Sequence, residues 1–346
     1  MAGHNRWHPD VEPVAVVRPG DVVTLDAPLG TGDQIGRESV HEDLLTLDFS
    51  QDLLAGPVYV EGAEPGDVLT VEVLEIAPAD FGFSAILPGF GFLADLFPGP
   101  YLVTWELDGR HARSAELAGV AVPGDPFPGT IGVAPSQELM RQVRQREEEV
   151  ARTTGVDLSL LLPPPVPAAA ADGLGTLPPR EIGGNVDIRH LTRGSRLFLP
   201  VHVPGALLSL GDVHFAQGEG EVCGSAIEIG ARVTVRVNVT PAPTWTPRFP
   251  AYETAPRPER RYLATTGVSI ADDGRNELLD VGVAARRALL ELVDYLAVTY
   301  GFTREAAYVL ASVVAELRLS EVVDLPNALV SALLPIDIFE DYRSPA

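Results

Sequence analysis

The sequence predicts a mainly β (α+β) protein made of β-sandwich-like units, with a helical pair added at the C-terminus. Three observations carry this. A β-rich run broken by Pro-Gly-Asp occurs twice, at Pro19-Gly20-Asp21 in VAVVRPGDVVTLDAP and at Pro65-Gly66-Asp67 in VYVEGAEPGDVLTVEVLEI. Pro and Gly are the residues a tight turn demands, so each run reads as strand, turn, strand. After the second turn Leu69, Val71 and Val73 alternate with Thr70 and Glu72, the period of a half-buried strand. From Asp280 onward the apolar spacing becomes helical.

Taken in order, residues 1–160 read as an N-terminal β-unit with one exposed helix. Its opening, MAGHNRWHPDVE, is expected to be a surface arm packed by Trp7, with His4 and His8 in reach of a site as the alternative. Residues 81–100, aromatic and broken by Gly and Pro, fit no regular element. YLVTWELDG and HARSAELAG follow as strands, then PGTIGVAPS as a short strand stopped by Pro135. Ser136 caps a solvated helix that runs to Thr154. Residues 161–250 read as a second β-unit, entered through the Pro- and Ala-rich crossing 161–179. Arg180 and Glu181 are expected to form an ion pair, beside a site or on its rim. Residues 251–346 read as helices and short strands packed on the β core. One helix stops near Gly301, Thr303 caps the next, and a turn falls at Pro326-Asn327.

Composition narrows the function. The chain has 346 residues and a net charge of −23, which argues against nucleic acid and anionic membranes as partners. A single cysteine and the lack of a leader or a long apolar run point to a cytoplasmic protein. All 25 basic residues are arginine. Arginine stays protonated in proteins, so Glu-Lys-Cys, Ser-Ser-Lys and lysine Schiff-base chemistries are excluded.

One stretch concentrates chemistry. GDVHFAQGEGEVCGSAIE places Asp212, His214, Gln217, Glu219, Glu221, Cys223 and Glu228 between two apolar runs. On extended backbone Asp212 and His214 share a face, and so do Glu219, Glu221 and Cys223. Buried unpaired, these acids would be costly, and a divalent cation would offset that cost. The competing reading is a glycine-rich polar turn facing water. Asn185 and Asp187, two apart, also face one way if extended.

This block, together with PPREIGGNVD, GPVYVEGAEPGDVL, GTIGVAPS, HNRWHPDVEP and VVDLPNA, resembles the acetamidase/formamidase family over nearly the whole chain. The resemblance implies hydrolysis of short aliphatic amides to carboxylate and ammonia, a mainly β core, a homo-oligomer, and a divalent metal in some members. The family's Gly-Gly-Asn-Met-Asp block falls on Gly183, Gly184, Asn185, Val186 and Asp187. Its Gly-Asp-x-His block falls on Gly211, Asp212 and His214, and its Gln-Gly-Asp-Gly-Glu block on Gln217 to Glu221. The chain departs at Glu219, where aspartate is usual, at Ile182, where a polar residue is usual, and at Leu29, where an acid is usual. The expected mechanism is metal-assisted. Asp187, Asp212, His214 and Glu219 hold a divalent ion, zinc first and calcium or another as alternatives. Glu221 moves the proton, Asn185 or the Gly183-Gly184 amides meet the oxyanion, and Gln217, Gly183 and Gly184 bind substrate. Glu219 and Glu221 can exchange roles. The rivals are a Cys223 nucleophile with Glu221 or His214 as base, and a catalytically silent metal-binding homologue.

Overall fold

The computed structural model describes residues 3–155, 162–244, 246–255, 260, 262–271, 276–321 and 328–341. The fold is mostly β. Its spine is a long antiparallel pair, Val68–Ile86 with Glu228–Thr240, running from Val68↔Thr240 to Phe83↔Glu228 with register shifts between Thr234 and Val235 and between Ile229 and Ala231. Leu69, Val71 and Val73 on one strand and Val233, Val235 and Val237 on the other are buried, as the alternation predicts. Both Pro-Gly-Asp turns form alike. The carboxylate of Asp21 accepts from the Arg18 N–H at 2.8 Å, and that of Asp67 from the Glu64 N–H at 3.0 Å. The long strand continues through Phe81–Ile86 and pairs there with Tyr101–Leu107, so part of the segment expected to be irregular is regular. Its polar member, Ser84, is satisfied by the Trp105 indole N–H at 3.0 Å.

The functional edge lies on three adjacent strands. Phe127–Gly132 pairs with Leu208–His214 on one side and with Gly183–Asn185 on the other. The register sets Thr130 opposite both Gly211 and Asn185. The separate predicted blocks therefore meet through sheet pairing.

The structure departs from two expectations. The opening segment is buried and pinned: His4 is within 2.8 Å of Ser209 Oγ, His8 faces Asp172 at 3.0 Å, and Arg6–Trp7 pairs with Leu174–Gly175. Burying Trp7 needs more apolar surface than a surface arm offers, and the Pro- and Ala-rich crossing supplies part of it. Arg180 and Glu181 do not pair with each other. Helix α1, Gln137–Thr154, takes both, Glu147 meeting Arg180 at 2.7 Å and Arg146 meeting Glu181 at 2.6 Å. The cap on α1 is as expected, with Ser136 Oγ accepting from the Leu139 N–H.

Downstream, Tyr262–Val268, Leu329–Pro335 and Glu316–Glu321 form a three-stranded sheet. Helix α2, Val281–Tyr300, packs on it, and helix α3, Arg304–Val314, is buried from Ala306 to Val314. Asp280 and Thr303 cap these helices. The expected Pro326-Asn327 turn lies outside the described residues. Among the described residues, no helix is long and apolar enough to cross a membrane.

Candidate active site

His214 ends its strand fully buried, its ring perpendicular to that of Phe127 with centroids 5.2 Å apart. Its Nδ1 is 2.7 Å from Gln217 Oε1, and the Gln217 amide donates to the Asp187 carbonyl at 3.0 Å. That second bond fixes which end of the Gln217 amide faces the ring. Nδ1 therefore carries the proton and donates, and Nε2 is directed the other way.

Around Nε2 stand carboxylates. Glu228 Oε2 is at 3.1 Å and Asp212 Oδ1 at 3.4 Å, while Asp187 Oδ1 lies 3.8 Å from Nδ1. One ligand atom each from Asp187, Asp212 and His214 fall within 4.8 Å of one another, and so do those of His214, Glu221 and Glu228. Glu228 is oriented by the Ala226 N–H at 2.8 Å and Ser225 Oγ at 3.1 Å, both on Oε1. Thr130 Oγ donates to Asn185 Oδ1 at 2.6 Å and sits 3.4 Å from Asp212 Oδ2. The strand bearing Thr130 passes so close that a Cβ at Gly129 would lie 2.6 Å from His214 Cε1 and 2.7 Å from Asp187 Oδ1.

The group is held under strain. Asp187, Asp212 and Glu221 all have left-handed backbone, at φ 46°, 49° and 42°. Such conformations cost about 1–3 kcal/mol and collect where surrounding structure imposes them. Burial pushes Asp187 up to about 7 against the pull of His214; burial, Asp212 and Glu228 push Asp52 to about 7 as well. Burial, the largest influence on Asp212, opposes its charge too, but His214 together with hydrogen bonds from Glu228 and Thr130 outweighs it and holds that carboxyl below its ordinary value. Burial likewise opposes charge on His214, and Glu228 with Asp212 still raise it well above the usual imidazole range. Glu221 is pushed well up, by burial first and by Asp187 next.

Asp187 Oδ1, His214 Nε2 and Glu228 Oε2 are each buried without a well-aligned hydrogen bond among the described residues. Orphaned atoms of ligand type in two triads that share His214, one with Asp187 and Asp212 and one with Glu221 and Glu228, fit a divalent cation.

An acetamidase/formamidase family model matches residues 1–341. The chain belongs to the acetamidase/formamidase family. It is 36% identical to a formamidase of Methylophilus methylotrophus, over 97% of this chain and 89% of the relative. It is 37% identical to an acetamidase of Mycolicibacterium smegmatis, over 90% and 85%. Among solved structures, a gamma lactamase from Delftia acidovorans superposes with TM-score 0.94 at 35% identity, covering 100% of this chain and 91% of that one. An acetamidase from Bacillus halodurans superposes with TM-score 0.59 at 26% identity, covering 99% and 98%.

On this acetamidase/formamidase fold the predicted residues separate. Asn185, Asp187, Asp212, His214, Gln217 and Glu221 are brought together. Gly183 and Gly184 lie in the adjoining strand, paired on both edges. Glu219 lies apart, its Oε1 3.7 Å from His190 Nε2. The expected extended run through Glu219, Glu221 and Cys223 is a series of turns instead, so the three side chains do not share a face. Cys223 is core: fully buried, its thiol 3.6 Å from the Ala85 carbonyl and pushed by burial up to about 12. Thr130, Glu228 and Asp52 join the site without having been assigned to it. Glu228 was detectable as a charge inside the apolar run SAIEIGA. Asp52, in QDLLAGP, carries no local signal.

Proposed function

We propose that the chain hydrolyses short linear amides, of the formamide and acetamide class, to carboxylate and ammonia with a divalent metal. The observation that carries the metal is the pair of ligand triads sharing His214, Asp187 with Asp212 and Glu221 with Glu228, in which Asp187 Oδ1, His214 Nε2 and Glu228 Oε2 are buried and unsatisfied. Asp187, Asp212, His214 and Glu228 would hold the ion, with Glu228 in the place expected of Glu219. Bound there, it supplies Lewis acidity toward water and the amide carbonyl. Zinc is the first candidate, since one imidazole among carboxylates suits it.

The chain's own groups do the rest. Glu221 accepts the proton of the attacking water and passes it to the leaving nitrogen; burial has tuned it toward holding one. Asn185 spends its carbonyl oxygen on Thr130, which leaves its NH2 to donate to the oxyanion. Gln217 uses both ends of its amide on His214 and Asp187, so it orients the ring. A cytoplasmic homo-oligomer belongs to the same reading, its association supported by the exposed Phe90, Phe92 and Leu96.

Ammonia release from formamide and acetamide, before and after chelation and after restoring the ion, tests it. No release in any state would leave a silent metal-binding homologue. Release unaffected by chelation would remove the metal from the mechanism. A second reading extends the substrate to cyclic amides. A cavity of about 970 Å³ borders Phe127 and Gln217, far more room than formamide needs, and one structural neighbour is a lactamase. A lactam panel run beside the linear amides decides between them.

A further inference from the structure

We infer that Ser312 is a positioning residue for Glu221, by which helix α3 holds the turn 218–225 and so aims the Glu221 carboxylate at His214 and Glu228. The inference rests on the proton-transfer role proposed above for Glu221.

Glu221 sits in that turn at φ 42°, a conformation that glutamate rarely adopts unaided. Within the turn it has only a 3.4 Å bond from its own N–H to Gly218 O and a 2.7 Å bond from the Gly224 N–H to its carbonyl. The restraint comes from α3. The last carbonyls of a helix lack partners within it. Here Ser312 O accepts from the Gly218 N–H and Ala315 O from the Glu219 N–H, each at 2.7 Å. The contact is too close for any side chain at Gly218, whose Cβ would meet backbone atoms of Ala315 and Ala311.

The Ser312 side chain then takes the far side of the turn. Its Oγ accepts from the Cys223 N–H at 3.1 Å and donates to Ser225 O at 2.7 Å. One residue therefore ties the chain on both sides of Glu221. Tyr308, one helical turn earlier on the same face, adds an O–H donated to Val222 O and accepts from the Leu93 N–H at 2.8 Å. Both side chains are fully buried on a helix otherwise apolar from Ala306 to Val314. Packing alone does not call for these hydroxyls, and each is placed on the turn that carries Glu221.

The test is a double-mutant cycle. Ser312→Ala is made in the parental protein and in Glu221→Gln, and kcat, KM and bound metal are measured in all four. A misaimed catalytic group costs rate rather than binding, so Ser312→Ala should lower parental kcat roughly tenfold to a hundredfold. KM should move less than about twofold, and metal content should stay at the parental level. In the Glu221→Gln background the same change should alter kcat by less than about twofold, because the group it aims is gone. An unchanged parental kcat, or an equal loss in both backgrounds, overturns the role of Ser312 while leaving that of Glu221 intact. A fully active Glu221→Gln protein overturns the proton-transfer reading and this inference with it. Should Ser312→Ala give no folded protein, Tyr308→Phe, which releases the turn at Val222, is put through the same cycle with the same expectations.

Discussion

Glu219 and Glu228 separate the two accounts of the ion's ligands. Glu228 faces His214 Nε2 at 3.1 Å, while Glu219 faces His190. Removing one ligand leaves an incomplete site, so Glu228→Gln and His214→Ala should each lose the bound ion, and Glu219→Gln should keep it. Elemental analysis of the purified variants reads this; retention by Glu228→Gln with loss by Glu219→Gln would restore the original assignment. The raised carboxyls add a pH signature. Asp187 and Asp52 hold protons up to about 7 in the ion-free fold, whereas the unfolded chain releases them near 4. The folded state thus binds more protons between those limits, and stability must fall as pH rises through that window. His214, raised above its unfolded value, acts in the same sense once pH passes its ordinary range. Chelated protein should melt higher at pH 5.5 than at pH 8, and added divalent ion should narrow the gap by claiming the carboxylates as anions. A chelated protein that melts higher at pH 8 would contradict the burial of these acids.

The elements differ in what they tolerate. Ser136 only caps α1, and losing a serine cap costs about 1 kcal/mol. Ser136→Ala should lower the melting temperature slightly and leave kcat alone. Gly218→Ala is a change of the same size with a different outcome. Its added methyl would meet backbone of Ala315 and Ala311, which cannot turn aside as a side chain can. The turn would have to lift from α3, carrying Glu221 with it. Loss of most activity at a temperature where the variant is still folded by circular dichroism is expected. Parental kcat in folded Gly218→Ala would show that the turn and α3 are not coupled.

Across the whole molecule charge is the dominant imbalance. A net charge of −23 works against compactness, while the surface pairs, such as Arg286 with Asp95 at 2.6 Å, are each worth about 0–1 kcal/mol. Salt screens both, and the repulsion summed over the surface outweighs a few exposed pairs. Raising ionic strength from roughly 0.01 M to 0.3 M shortens the screening length from about 30 Å to under 10 Å, so the melting temperature should rise. A fall would mean that the arginine pairs, not the net charge, govern stability. The same imbalance leaves the core untouched: its strands are held by buried valines and leucines, which salt does not weaken.

The sequence by itself determined most of the elements and part of the candidate site. Strand alternation at Leu69, Val71 and Val73, the two Pro-Gly-Asp turns and the caps at Ser136 and Thr303 are local, and each follows from side-chain chemistry within a few residues. Asp212 and His214 were legible as a pair because they stand two apart within one strand, a spacing that puts side chains on one face, although Asp212 itself takes left-handed backbone there. The family blocks located Asn185 and Asp187. Tertiary structure decided the rest. Beyond His214 the chain turns, periodicity no longer sets direction, and Glu219 and Glu221 go where α3 docks the turn. Asp52 enters from a distant loop, and Thr130 and Asn185 meet through register between strands far apart in the chain. Burial then decides what those acids do. A carboxylate beside others becomes a proton carrier or a ligand only when water is excluded, and no short stretch of sequence specifies that exclusion.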